Sequence, residues 1–331
     1  MMRGLFAALL LVSATAAAQT RPAPTADPLL GNGGGLDHVL LWTREADRET
    51  ATLSVKLGFQ VRQGGDFGNG IANRLINFSD QTYLELLFFT RPASELEGGA
   101  LEVYRFTERG PGANNFVAEI SDIEATAAHL RSRGFALDPE SPATFDPDGD
   151  GPRPAEPNLY RIVSFPTPPI ASSDLFFIRY APFNPTAQQQ ADRLEFRRHP
   201  NGARRISAVW LLSASAEEEG ARLMRIGFVD AGPVVLPQVA ARGRRFAAGR
   251  GSILVIEPSG AGQAAEALTA RGPHFFAISV ETGDLGRAQR LVQRGYGVAI
   301  EAYSGAFGES FIAPTQDDLG LRIEFHAGPA N

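Results

Sequence analysis

The chain has 331 residues, 44% hydrophobic and 21% charged, with a formal net charge of −6 and no cysteine. That length supports two domains with full cores, and the composition argues against a disordered tail, a membrane-embedded protein and any disulfide framework. Lys56 is the only lysine; the densest basic cluster, Arg242, Arg244, Arg245 and Arg250, lies in a glycine- and alanine-rich hairpin without interleaved aromatics, so a solvated loop is expected rather than a nucleic-acid groove.

Met1-Met2-Arg3, an apolar run from Leu5 to Val12 and Ala16-Ala17-Ala18 make a positive start, a short apolar middle and small residues at a cleavage site. Residues 1–18 therefore read as a secretory signal, too short for a permanent anchor, and the mature protein is expected in the periplasm or outside the cell. Residues 19–35 are rich in proline, glycine and alanine and end in Gly33-Gly34-Gly35, which reads as a flexible linker. No strand precedes the glycine run, so a phosphate loop is not expected.

From there an internal repeat organises the chain. Four helical patterns run out into glycine and an aromatic residue: Gly58-Phe59, Gly134-Phe135, Gly227-Phe228 and Gly295-Tyr296. Glycine suits a left-handed helix terminus, and the aromatic residue begins a strand with core-facing bulk. A short apolar strand precedes each helix, at 36–42, 115–120, 206–212 and 274–280, and further strands follow it; in the first unit Ser79-Asp80-Gln81 forms a hairpin turn. The unit is βαβββ. One unit cannot cover its own sheet, so four units pair into two α+β domains, 36–183 and 205–328, joined by a linker at 184–204. Within the first domain Asp146, Asp148 and Asp150, with Gly151 in sixth place, match the opening of a calcium loop, although the twelfth position is Pro157. An acidic turn before a strand is the other reading.

Leu36-Asp37-His38-Val39 at the first strand, the Gly58-Phe59 turn, Gly70-Ile71-Ala72-Asn73 and Tyr83-Leu84-Glu85-Leu86 together resemble the vicinal oxygen chelate superfamily of glyoxalases, extradiol dioxygenases and bleomycin-resistance proteins. The glyoxalase-like subgroup shares the Asp-His strand start and the Tyr-Leu-Glu-Leu strand. The resemblance implies two tandem domains with curved, cup-shaped mixed sheets. It also implies one divalent metal, zinc, iron, manganese or nickel, held by first- and fourth-strand side chains and chelating neighbouring substrate oxygens. His38 and Glu85 match two such positions, and the second unit offers Phe116 and Arg179 in the other two. In the second domain Ala208, Val255, Phe276 and Glu324 stand there, so that domain reads as a degenerate copy.

The resemblance implies a lyase, isomerase or dioxygenase acting on a small oxygenated molecule in the first cup, and the signal-like N-terminus implies its export. His38 and Glu85 would hold the metal, Glu85 would double as the catalytic base, and Asn73, Arg74, Phe116 and Arg179 would bind the substrate. A second reading is a periplasmic small-molecule binding or sequestering protein without chemistry. A third is metal-free acid–base catalysis by Glu85.

Overall fold

A computed structural model describes residues 27–139, 160–182 and 185–328. The acidic triplet Asp146, Asp148 and Asp150 and the signal-like segment 1–18 lie outside these residues. The first unit runs β1 (Gly35–Thr43), α1 (Ala46–Ala51), a π-type turn over Thr52–Lys56, β2 (Arg62–Asp66), β3 (Ile71–Asn77) and β4 (Tyr83–Phe89). A short helix, α2 (Gly98–Phe106), leads into β5 (Gly112–Glu119), α3 (Ile123–Ser132), β6 (Tyr160–Val163) and β7 (Asp174–Tyr180). The expected linker contains α4 (Ala187–Phe196), started by a capping box in which Thr186 and Gln189 satisfy each other's backbone amides.

The second half holds β8 (Ala203–Leu212), α5 (Ala216–Ile226), β9 (Val229–Leu236), β10 (Ala241–Ala248) and β11 (Gly251–Pro258). After α6 (Gln263–Arg271) come β12 (His274–Thr282), α7 (Leu285–Tyr296), β13 (Tyr303–Gly305), β14 (Gly308–Ala313), α8 (Gln316–Leu319) and β15 (Arg322–Ala327). These strands form two curled mixed sheets, ordered β2-β3-β4-β1-β5-β7-β6 and β13-β14-β15-β12-β8-β11-β10-β9. In each, the first strands of two units meet antiparallel at the centre, β1 with β5 and β8 with β12, and each fourth strand runs parallel beside its own first. Four units in two pairs is the expected α+β architecture.

Three of the four helix-ending glycines have left-handed φ: +72° at Gly58, +79° at Gly134 and +129° at Gly227. The fourth differs. Gly295 sits inside α7, which ends at Gly297 with φ +68°. A Cβ on Gly295 would lie 2.3 Å from the Lys56 carbonyl oxygen, so glycine is needed there for helix-to-helix approach between the domains. The glycine-rich linker is also not slack at its end: Leu29 and Leu30 are buried in the main core.

That core is continuous across both domains. The backs of the sheets, through Val39 and Leu41 on β1 and Val209 and Leu211 on β8, share one cluster with the inner faces of the helices. Phe59 of the first domain stacks on Phe325 of the second at 5.8 Å, and Phe228 lies 6.4 Å from Phe177. The cup faces differ. In the second domain Ala208, Trp210, Leu212, Leu254, Ile256 and Phe276 close against Ala264, Ala267 and Leu268 of α6, filling the cup. In the first, only Trp42, Ile71 and Leu87 are buried in the corresponding cluster against Ala100 and Val103 of α2.

His199 ties the inter-domain segment to the first sheet: its Nδ1 accepts from the Gln60 amide at 2.9 Å and its Nε2 donates to the Asn77 carbonyl at 3.0 Å. Burial pushes this imidazole down from 6.5 to about 4. It stays neutral in the fold while the unfolded chain takes up a proton below about pH 6.5, so stability is lost as pH falls from 6.5 to 4, by up to about 3 kcal/mol. Denaturant titrations of the wild type and His199→Gln at pH 7 and pH 4.5 check this; the wild type should lose more stability than the variant between the two, and equal losses would refute it.

Candidate active site

Alternation along β1 sends Val39 and Leu41 into the core and His38, Leu40 and Trp42 into the first cup. Strand pairing then decides what joins them. His38 is in register with Tyr83 on β4 and Val117 on β5; Leu40 is in register with Glu85 and Asn115. Asn115 and Val117 pair in turn with Asp174 and Phe176 on β7. The cup floor therefore carries two rows: Tyr83, His38, Val117 and Phe176, then Glu85, Leu40, Asn115 and Asp174.

His38 and Glu85 are both buried, and each is held from behind. The His38 Nδ1 is 2.7 Å from Asp37 Oδ2. Asp37 also accepts from the Tyr180 hydroxyl at 2.8 Å and from Arg250 at 3.1 Å. A carboxylate surrounded by donors places the proton on Nδ1, which leaves Nε2 facing the cup. Glu85 Oε1 accepts from the Asn73 amide at 2.6 Å, and Asn73 Oδ1 accepts from the Gly65 backbone at 2.7 Å, so the Asn73 orientation is set by its partners. The two free atoms, His38 Nε2 and Glu85 Oε2, then face each other at 3.6 Å, too far for a hydrogen bond.

Aromatic rings wall this pair. Tyr83 stacks on His38 at 4.2 Å between centroids, and Phe176 meets its edge at 5.9 Å. The Tyr83 and Tyr180 hydroxyls are 3.1 Å apart. Burial first, and then the negative charges of Asp37 and Glu85, push both phenols upward, so they remain protonated donors. Since Tyr180 donates to Asp37, Tyr83 donates to Tyr180. Burial also raises Asp174. A cleft of about 720 Å³ opens farther along the same face, beside Trp42, Asn69, Ile71, Arg91, Ala100 and Val103; neither His38 nor Glu85 lines it.

The structure thus brings together His38, Glu85 and Asn73 and separates three other expected site residues from them. Arg74 points to the helix side, donating to the Ala46 carbonyl and Thr50 hydroxyl and pairing with Asp47, so it clamps α1. Phe116 is wholly buried in the shared core near Phe228. Arg179 is exposed and shares the face of Phe177, opposite Phe176 and Tyr180. Phe116 lies one residue from Asn115 and Arg179 three residues from Phe176, so both fall on the face opposite the cup. Val255 errs likewise, facing the core while Leu254 faces the second cup. The residues that sequence reasoning passed over are Tyr180 and Asn115. Two adjacent polar residues, Asn114 and Asn115, in an otherwise apolar strand were the available signal for the latter.

Glu324 is the second domain's remaining cup carboxylate, with no exposed surface. Burial raises it, and the Ser279 and Tyr303 hydroxyls each donate to it at 2.6 Å, which completes its bonding within a filled cup.

The model for the glyoxalase-like domain matches residues 36–227. No curated protein matches the chain. Among solved structures, a mutant of 4-hydroxymandelate synthase from Streptomyces coelicolor aligns with TM-score 0.61 and 12% identity over 90% of this chain and 93% of that one. A hypothetical protein from Staphylococcus aureus aligns with TM-score 0.57 and 14% identity over 89% and 99%. At such identities these likenesses show the fold. The family match spans more than half of the chain and takes in the whole His38–Glu85 cup, so the protein belongs to the glyoxalase-like domain family.

Proposed function

We propose that the first cup is the active site of a metal-assisted enzyme acting on a small oxygenated molecule. The observation that carries this reading is the 3.6 Å approach of His38 Nε2 and Glu85 Oε2, two acceptor atoms each oriented from behind by a hydrogen-bonded partner. A third donor is at hand in Asn115 Oδ1, which is buried without a partner. Among the described residues no three of His, Cys, Asp or Glu converge. Imidazole, carboxylate and amide oxygen still suit one divalent ion of the zinc, iron, manganese or nickel kind, leaving its other positions to substrate oxygens. Such an ion, when bound, polarises a carbonyl or stabilises an enolate.

The chain's own residues supply the rest. Tyr83 and Phe176 hold the substrate against His38, Asn73 keeps Glu85 Oε1 fixed, and Glu85 Oε2 takes or returns a proton beside the reacting carbon. Trp42, Leu87 and α2 give one end of the floor an apolar wall beside the open cleft. That chemistry covers an isomerase, lyase or dioxygenase. The aromatic walls also favour a second reading, a sequestering cup for a planar ligand, which would bind without turnover. We further propose export, on the pattern of residues 1–18; among the described residues no helix is long and apolar enough to cross a membrane.

The test is a calorimetric titration of chelator-stripped protein with Zn²⁺, Mn²⁺, Fe²⁺ and Ni²⁺. One equivalent bound at micromolar affinity or better is expected for at least one ion; no binding by any of the four would remove the metal-assisted reading and leave the cup metal-free.

A further inference from the structure

The second domain has a filled cup, yet one of its residues reaches the floor of the first. The turn from β10 to β11, Gly249-Arg250-Gly251, docks on the start of β1. A Cβ on Gly249, whose φ is +58°, would fall 1.9 Å from the Gly34 carbonyl oxygen, and one on Gly251 would fall 2.7 Å from Leu36 Cβ. A Cβ on Gly35 would meet the Arg250 backbone nitrogen at 2.6 Å. Only glycine permits this approach. It delivers the Arg250 guanidinium to three acceptors of the first domain: Nε to the Leu36 carbonyl at 3.0 Å, and Nη2 to Asp37 Oδ1 at 3.1 Å and Glu119 Oε2 at 2.6 Å. The other Asp37 oxygen accepts from His38 Nδ1.

We propose that Arg250 is a positioning residue for His38, acting through Asp37, and that this is the second domain's contribution to the site. Asp37 is almost wholly buried, and a carboxylate there needs donors on both oxygens to stay in place. Tyr180 and His38 occupy one oxygen and Arg250 the other. The arginine Nη2 holds Oδ1 while Tyr180 and His38 hold Oδ2, so the carboxylate is fixed from both sides; it fixes the imidazole with its proton on Nδ1, and Nε2 is presented to Glu85. Remove the arginine, and the carboxylate turns about its remaining donors while the imidazole loses its preferred tautomer.

This inference rests on the reading of the first cup as the site, and the experiment separates the two. Full-length Arg250→Gln, Arg250→Lys and Glu119→Gln are compared with the wild type. The first readout is the His38 tautomer in metal-free protein, from long-range proton–nitrogen correlations assigned with His38→Ala. The second is Zn²⁺ affinity by chelator competition. The wild type is expected to show protonated Nδ1; Arg250→Gln should give mixed tautomers and a ten- to hundred-fold loss of Zn²⁺ affinity, partly recovered in Arg250→Lys. Glu119→Gln, which weakens the same inter-domain contact but leaves Arg250 on Asp37, should retain the wild-type tautomer and affinity. A wild-type tautomer in Arg250→Gln, or equal losses in Glu119→Gln, would overturn the proposal. If no metal binds the wild type, the tautomer alone decides it.

Discussion

Phe325→Ala is expected to lower the stability of the whole chain by about 3–5 kcal/mol. Phe325 has no exposed surface and is stacked between Phe311 of its own domain at 5.1 Å and Phe59 of the other at 5.8 Å. Truncating it removes the transfer energy of the ring and leaves a cavity lined by side chains of both domains, which neither can close alone. Because the core is one cluster, both domains should weaken together. Thermal and denaturant unfolding followed by near-ultraviolet and far-ultraviolet dichroism would report it. A first domain that keeps its own transition, unmoved by the substitution, would show that the two cores are energetically separate.

Loss of either facing group in the first cup should have the largest functional effect. His38→Ala and Glu85→Gln are each expected to abolish metal binding at micromolar concentrations, since the one remaining strong donor with the neutral Asn115 amide oxygen cannot hold a divalent ion tightly. Asn73→Ala should cost about ten- to hundred-fold in affinity, because Asn73 acts only by orienting Glu85 Oε1. Arg74→Ala provides the contrast. Its neighbours in sequence line the cup face, but its own side chain clamps α1, so metal and ligand affinity should be unchanged while stability falls by about 1 kcal/mol. Unchanged binding in both His38→Ala and Glu85→Gln would place the functional site elsewhere.

The contrast between Asn73 and Arg74 also shows what could be read in advance. Both were expected at the site from the run Gly70 to Arg74, and a strand sends adjacent side chains to opposite faces, so both could not belong there. The first unit carried its own phase: Glu85 is the one charged residue in the apolar run Leu84–Phe89, which marks its face of β4, and the buried glutamate pointed to a partner. The second unit did not. β5 and β1 meet with register shifts between Leu36 and His38 and between Leu40 and Leu41, and each shift changes which residue opposes which across the pair. On β5 these shifts leave Asn115, not Phe116, on the cup face, and on β7 the strand period puts Phe176 there and Arg179 on the opposite face.

Arg250 was legible only as one member of a basic hairpin. Its isolation from Arg242, Arg244 and Arg245 comes from where the hairpin ends: Arg242 pairs with Glu257 and Arg244 with Asp230 within the second domain, while Arg250 crosses to the first. Gly33-Gly34-Gly35 was readable as flexible chain, yet its close contacts with Gly249 and Arg250 make its end part of a domain interface.

What the sequence determined by itself was the local order: four helices with one apolar face each, three of them ended by a left-handed glycine, and strands short enough to pair unit with unit. Such features depend on residues within a few positions of one another, where the helix period, the strand period and the conformational freedom of glycine act directly. The tertiary structure alone decided which strand face lines each cup, that the second cup is filled by α6 while the first is left partly open, and that an arginine more than two hundred residues away stands behind His38. Those outcomes depend on register between distant strands and on the docking of two domains, and a shift of one residue in either reverses which side chain reaches the site.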